Sequence, residues 1–530
     1  MTASPATGRP QRRPTRRAIL GGGLGAGLGI MLAGCSSGSQ PTVGPAAEVT
    51  GPPQRGGELR VGFVGGGAAD TLDGMKATNL GDIARAINLY DALIGRGDEY
   101  EMFPAVAESF VPNDDATVWT ATLREGIKFS DGRPVTGADV KASIERILNP
   151  DDPGNDAAGL AAVDEVVPID DRTVEFRLST PDSVLNEAVA QYTVIIVPAD
   201  FDPANPVGTG PFKLESFTPG LSTQLVRNEH YWGEGPYVDA VTLLNFNDTD
   251  ALINALLSTQ VDAVAQIPTS LIDVIGADAR MRILNSETGM WMPFTMRVDQ
   301  EPFDDERVRQ AFRLAIDRQE MIDQVLSGQG RIANDMYSID DPEYPSHLPQ
   351  REQDLERAKR LLAEAGYPDG IDVELVTAPI QSGVVEAAQV FAEQAKGAGI
   401  RVTINRLDLT AYWSNYLEYP FSQSFWNTKS FLTQTTAGTL PNAPFNESHW
   451  DDPKFIDICA QARAEANEEE RTKLIQQAQE ILYDRGGLII WGFANQVDAY
   501  QAYLGGLREN ATGMPLSGFN LHRVWIGDIA

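Results

Sequence analysis

Val118-Trp119-Thr120-Ala121-Thr122-Leu123-Arg124 is followed by Glu125-Gly126-Ile127-Lys128-Phe129-Ser130-Asp131-Gly132. The first seven residues alternate in polarity, which predicts a half-buried strand. Gly126 and Asp131-Gly132 supply turns. Thr136 stands three residues before Asp139, the spacing of a capping box, and opens a helix. Its inward face is Val140, Ile144, Ile147 and Leu148, and Asn149-Pro150 stops it.

Strand and helix patterns continue to alternate on both sides of this unit. Residues 58–64, 173–178, 192–197, 222–227 and 241–246 read as strands. From residue 303 helices dominate. Asp304 is the expected cap of one that buries Val308, Phe312, Ala315 and Ile316. Asp317 with Glu320 opens the next, over Met321, Ile322 and Val325. Asp354 opens a third, over Leu355, Ala358, Leu361 and Leu362, with Gly366 placed for a left-handed cap. Strands at 373–377 and 400–404 enclose a helix near 383–396, a βαβ-like unit. A helix over 468–483 leads through Gly486-Gly487 into an apolar strand at 488–491. The class is α/β.

The first 34 residues read as an export signal. Arg16-Arg17 precede a mild, glycine-rich apolar run that ends in Leu32-Ala33-Gly34-Cys35. The paired arginines look like a twin-arginine signal, and the Leu-Ala-Gly-Cys end looks like a lipobox in which Cys35 is lipidated. The run is short for a membrane span and diluted by glycine. Residues 35–56 are rich in Ser, Gly, Pro, Thr and Ala, a flexible lipid-proximal tether. About 475 residues follow, too many for one hydrophobic core.

Ahead of Cys35 stand five arginines and no acid, so the chain from Cys35 onward has 37 basic and 74 acidic residues, a formal charge of −37. Such a chain is not drawn to nucleic acid or to an anionic membrane surface. Beyond Cys35 the only cysteine is Cys459, which leaves no intrachain disulfide or thiolate metal cluster and suits a buried helix position. His230, His347, His449 and His522 are scattered without ligand spacing. No Gly-x-Ser-x-Gly elbow, His-Glu-x-x-His or Walker loop occurs, so a hydrolase or a resident cofactor is not expected.

Several segments, in order, resemble the family 5 extracellular solute-binding proteins of bacterial ABC importers, which include dipeptide-, oligopeptide- and nickel-chelate-binding members. They are Leu89-Tyr90-Asp91-Ala92-Leu93, Pro104 to Ser109, Thr120 to Gly132, Gly208-Thr209-Gly210-Pro211-Phe212, Arg227-Asn228-Glu229-His230-Tyr231-Trp232, Pro302 to Ala311 and Asp354 to Gly366. The resemblance implies a two-lobed, hinged periplasmic-binding-protein-like clamp of type II, the large peptide-binding type with an extra subdomain. Lobe I would comprise 57–293 and 495–530, with the subdomain inside the first segment, and lobe II 294–494. It also implies a monomeric, non-enzymatic protein that hands a small solute to ABC permease subunits. Most of these motif residues are read as scaffold, including His230-Tyr231-Trp232.

Two departures from the peptide-binding pattern bear on the ligand. In peptide-binding relatives a lobe II tryptophan is followed three residues on by an aspartate that pairs with the peptide's α-ammonium. The matching segment is Phe425-Trp426-Asn427-Thr428-Lys429, with Lys429 in the aspartate's place. Two ammonium groups at contact would repel by on the order of 4 kcal/mol. If Lys429 faces a cleft, free peptides are disfavoured; on the surface it would be solvated. Arg297 stands where relatives carry an asparagine five residues before the proline that is Pro302 here. It could fork onto a ligand carboxylate, or pair with Asp299 or Glu301. Trp413 and Trp426 flank Tyr412, Tyr416, Tyr419, Phe421 and Phe425, which suit stacking on rings or sugar faces. Met75 belongs to the expected first cleft loop, after Gly74 where relatives often have proline. The expected ligand is a non-peptide organic solute, an oligosaccharide or an anionic metabolite. The alternatives are an oligopeptide or dipeptide, a metal chelate, or a ligand-capturing surface receptor without transport.

Overall fold

The computed structural model describes Val49 and residues 51–527. The signal, Cys35 and most of the tether lie outside the described residues. Among the described residues no helix is long and apolar enough to cross a membrane.

The strand Glu58–Val64 lies at the middle of an eight-stranded mixed sheet. Its path runs Met281–Trp291, Gly492–Gln501, Ala263–Val264, Glu58–Val64, Ala240–Phe246, Ser222–Arg227, Phe212–Thr218, and Gly330–Ile332 adds to Gly492–Gln501. Glu58–Val64 pairs in parallel with both of its neighbours. A five-stranded sheet has the order Ile400–Arg406, Ile371–Thr377, Phe421–Gln423, Phe294–Met296, Leu488–Ile489. The first two are parallel and joined by the helix Val384–Ala395, as the βαβ pattern requires. A third, four-stranded antiparallel sheet (Ala107–Pro112, Val118–Leu123, Thr173–Leu178, Val163–Pro168) packs on the helix Gly137–Ile147.

The chain passes between the two larger sheets twice, at 292–293 and at 490–491, where one sheet's strand ends and the other's begins. The second passage precedes the expected boundary at 495. Separate apolar cores serve the large sheet, the five-stranded sheet and the helices 431–485.

Local signals acted largely as chain chemistry requires. Thr136 and Asp139 form the reciprocal capping box, and Val140, Ile144 and Ile147 are buried. Gly366 takes φ +100°, a left-handed conformation that suits a glycine. Cys459 is buried in the helix Pro453–Ala464, and burial pushes its thiol up to about 12. Two expectations fail. Asp305 caps the helix Glu306–Leu314, because Asp304 is tied into the preceding turn by the hydrogen bond its amide N–H donates to the Gln300 carbonyl. Residues 193–197 are buried, but 192–197 form no strand beyond a single bridge between Ile195 and Ala92. The amides of Ile196 and Val197 are taken by the Asp91 carbonyl and Ser143 Oγ, so no ladder forms.

Candidate functional site

Two cavities are large enough to hold a small solute. The larger, ≈ 940 Å³, is lined by Arg96, Tyr100, Thr193 and Trp232 from the first half of the chain, by Asn427, Thr428 and Lys429, and by Arg508 and His522 near its end. The smaller, ≈ 250 Å³, is lined by Trp291, Met292, Phe425, Trp426 and Gln496, beside the first chain passage. Asn427 borders both.

The segment 425–430 is held from several directions. Trp291 and Trp426 exchange backbone hydrogen bonds of 3.0 and 2.9 Å, and their rings stack at 5.9 Å with 14° between planes. Trp291 stacks on Tyr337 (5.6 Å), and Tyr337 on Phe431 (5.3 Å), so a column of four aromatic rings braces this wall. Gly438 leaves room for the Trp426 ring, to which a Cβ would come within 2.6 Å. Thr428 Oγ1 donates to the Ala511 carbonyl at 2.8 Å and accepts from the Gly289 amide at 3.0 Å. Ser338 Oγ donates to the Lys429 carbonyl at 2.7 Å.

Four acids stand behind the walls, Glu447 and Asp498 buried and Glu187 and Asp341 half-buried. Glu447 accepts from Ser424 Oγ (2.5 Å), Thr295 Oγ1 and the Trp426 side chain, and burial pushes it up to about 7. Asp498 accepts from the amides of Gln266 and Leu516 and from Gln496 Nε2 (2.6 Å), and burial raises it to about 6. Glu187 and Asp341 are raised by burial, Asp341 also by repulsion from Glu187. Burial lowers His522 to about 4, so its ring is neutral at pH 7.

The cavity wall carries both cations and acids, and of its acids Glu234 has no hydrogen-bond or ion-pair partner among the described residues. Lys429 and Arg508 have no ion-pair partner among the described residues. Arg96 lies over the Tyr100 ring at 4.3 Å and donates Nη1 to the Tyr100 carbonyl, but its Nε and Nη2 are buried without a partner. By contrast Asp91 accepts from Trp232 Nε1 at 2.9 Å, and Asp156 accepts from Thr193 Oγ1. Arg523 is paired with Asp98 at 2.8 Å.

The model of the bacterial extracellular solute-binding proteins, family 5 Middle, matches residues 101–445. The chain belongs to this family. The glutathione-binding protein GsiB of Salmonella typhi is 26% identical over 476 residues, which cover 85% of this chain and 91% of that protein. GsiB of Escherichia coli (strain K12) is similar to the same degree, at 26% over 476 residues. Among solved structures, the binding protein AgaA of A. tumefaciens R10 in complex with agropinic acid superimposes with a TM-score of 0.75. The two are 26% identical, with 89% of this chain and 99% of AgaA covered. The ABC transporter substrate-binding protein CtaP of Listeria monocytogenes shares the fold, with a TM-score of 0.79 at 21% identity, covering 90% of this chain and 100% of that one. The chain is therefore an extracytoplasmic solute-binding protein that serves an ABC transporter, with the two-lobed α/β fold of such proteins, and it is not an enzyme.

The binding protein does not bring all the expected ligand residues together. Trp426, Asn427 and Lys429 border the cavities. Arg297 lines neither: its guanidinium is buried against Asp299 (2.7 Å) and Glu418 (3.0 Å), the ion-pair alternative. Trp413 is 41% exposed and meets Tyr412, Tyr416 and Phe425 edge-on, outside both cavities. Met75 is fully buried in the main core, because Asp73 caps a single helical turn there and pairs with Arg146 at 2.6 Å. Thr78 follows that turn and reaches the cavity instead. Tyr231 and Trp232, expected as scaffold, lie on the cavity wall. Arg96, Tyr100 and Arg508 carried no sequence signal for a binding role, since nothing in their spacing tells a cavity arginine from a surface one.

Proposed function

We propose that this binding protein captures an anionic organic solute in the larger cavity, between two hinged lobes, and delivers it to its ABC permease. The lobes would be 57–293 with 495–530, and 294–494. The protein would be held at the outer face of the cytoplasmic membrane by a lipid on Cys35, after export by the twin-arginine route. The observation that carries the ligand reading is the pair Lys429 and Arg508, which reach the cavity from distant parts of the chain without a carboxylate partner. In a chain with 74 acids against 42 bases, cations left unpaired on a cavity wall are suited to a ligand's acid groups. Arg96 adds two unpartnered N–H groups close by. A volume of ≈ 940 Å³ lies at the upper end of small-molecule sites and admits a solute of several rings or residues.

The names of the relatives are consistent with this charge preference: glutathione and agropinic acid are both acids. An acidic peptide such as glutathione would use the same cations, so the proposal concerns charge first. Calorimetric titration tests it, with glutathione and agropinic acid as anionic probes and trialanine and maltotriose as neutral ones. Binding confined to the acids is expected. Preference for trialanine or maltotriose would refute the charge reading. Cys35→Ala is expected to move the protein from the membrane to the soluble fraction, and retention in the membrane would remove the lipid anchor.

A further inference from the structure

The four-stranded sheet does more than sit beside the cavity. Its inner strand Thr173–Leu178 leads on into residues 182–193, a strap fastened at its start to the sheet. The Asp182 amide donates to the Ala116 carbonyl at 3.0 Å, and Trp119 Nε1 donates to the Asp182 carbonyl at 2.7 Å. The end of the strap, Ala190 to Thr193, lines the large cavity. Between these points it grips a remote part of the chain.

Three kinds of contact make that grip. Asp182 pairs with Arg463 at 2.9 Å, its side chain only 3% exposed, and the Ser183 amide donates to the Arg463 carbonyl at 2.7 Å. Val184 is buried in the core formed by Phe431, Leu432, Ile458 and Ala462. Glu187 accepts from Thr433 Oγ1 at 2.8 Å and from Ser430 Oγ. Ser430 directly follows Lys429, and the next amide, of Phe431, donates to Asp341 at 2.6 Å. Tyr100 OH completes the contact by donating to the Thr428 carbonyl at 3.3 Å. The turn that presents Lys429 is thus fastened on one side by its own half of the chain, through Ser338 and Asp341, and on the other by the strap.

Apart from the Tyr100–Thr428 contact, which lies on the cavity wall, these contacts lie around the cavity rather than in it. A surface ion pair contributes little, but a half-buried carboxylate that accepts two hydroxyl bonds loses those partners if the two sides separate. Separation would also expose Val184 and its apolar partners.

We propose that the 182–187 strap is an intramolecular clasp. By holding the 430–433 turn through Glu187 and the Pro453–Ala464 helix through Asp182, it positions Lys429 and keeps the cavity covered. Glu187 is then a positioning residue for solute capture, acting through Ser430 on Lys429. The inference rests on the proposed role of the larger cavity, but its test needs no ligand.

Spin labels at Asp114→Cys, in the turn between strands Ala107–Pro112 and Val118–Leu123 of the four-stranded sheet, and Lys454→Cys, on the Pro453–Ala464 helix, report the distance across the clasp in the unliganded protein. The acylation rate of the Lys429 amine, relative to that of exposed Lys128, reports its environment. Glu187→Ala is expected to lengthen or broaden the distance distribution and to raise the Lys429 rate at least threefold. Glu187→Gln keeps an acceptor oxygen and is expected to restore both readings. Arg463→Gln breaks the other arm and should lengthen the distance even if Glu187→Ala does not fold. Wild-type distances and wild-type Lys429 rates in Glu187→Ala and Arg463→Gln would overturn the clasp. Failure of every acidic solute to bind would overturn the ligand reading and leave these distances unaffected.

Discussion

Trp291 and Trp426 are joined twice, by a pair of backbone hydrogen bonds and by stacked rings 5.9 Å apart. Trp291 ends the strand that leaves the large sheet, and Trp426 opens the segment that carries Lys429. The stack therefore couples a chain passage between the sheets to the position of the cavity cation. Trp426→Ala is expected to cost about 2–3 kcal/mol of stability, through lost stacking and a partly collapsed column. It should also weaken binding of an acidic solute. Denaturant unfolding and calorimetry on the same variant check both effects.

Lys429 is the residue whose charge the ligand reading uses most directly. Lys429→Asp is expected to weaken an acidic ligand by more than tenfold while the melting temperature changes little, because the ammonium makes no ion pair to lose. An unchanged calorimetric affinity would place Lys429 outside the binding surface.

Arg297 should behave in the opposite way. Its guanidinium bridges Asp299 and Glu418, which are 42% and 69% exposed. Exposed acids of this kind contribute modestly, so Arg297→Gln is expected to cost about 1 kcal/mol. The affinity for an acidic solute should stay within twofold, and a larger loss would return Arg297 to the site.

The contrast between these two cations shows where sequence reading reaches its limit. Caps and turns act over a few residues, so Thr136 with Asp139, Asp317 and Gly366 were legible and formed as expected. The family motifs also carried the fold, because they recur in order along the chain. The site is different. Lys429 and Arg297 occupy equally suggestive places in sequence, but only the packing of Asp299 and Glu418 shows that one is already satisfied. Arg508 meets Lys429 at the cavity from 79 residues away, and no local pattern encodes that meeting. Met75 was misplaced because the turn capped by Asp73 folds it inward, onto the side of Arg146.

Buried acids set the expected pH response. Glu447 is raised from 4.5 to about 7 and Asp498 from 3.8 to about 6. For both, the folded state holds its proton to higher pH than the unfolded state does. Their favourable share of stability is complete below the unfolded value and is lost as pH rises through the folded one. Stability should therefore fall between about pH 4 and pH 7. Glu447→Gln is expected to remove on the order of 2 kcal/mol of the decline between pH 5 and pH 8, read by denaturant unfolding at the two pH values.

The central claim is that the larger cavity of this family 5 binding protein takes an acidic solute. A thermal-shift screen of the purified protein tests it most directly, with glutathione, agropinic acid, phosphorylated sugars, maltotriose and trialanine each at high concentration. A ligand at a hundredfold excess over its Kd stabilises the folded state by about 2.7 kcal/mol, so a true ligand raises the melting temperature clearly. The expected result is a shift confined to the acidic compounds and lost in Lys429→Asp. A shift produced by trialanine or maltotriose and retained in Lys429→Asp would contradict it.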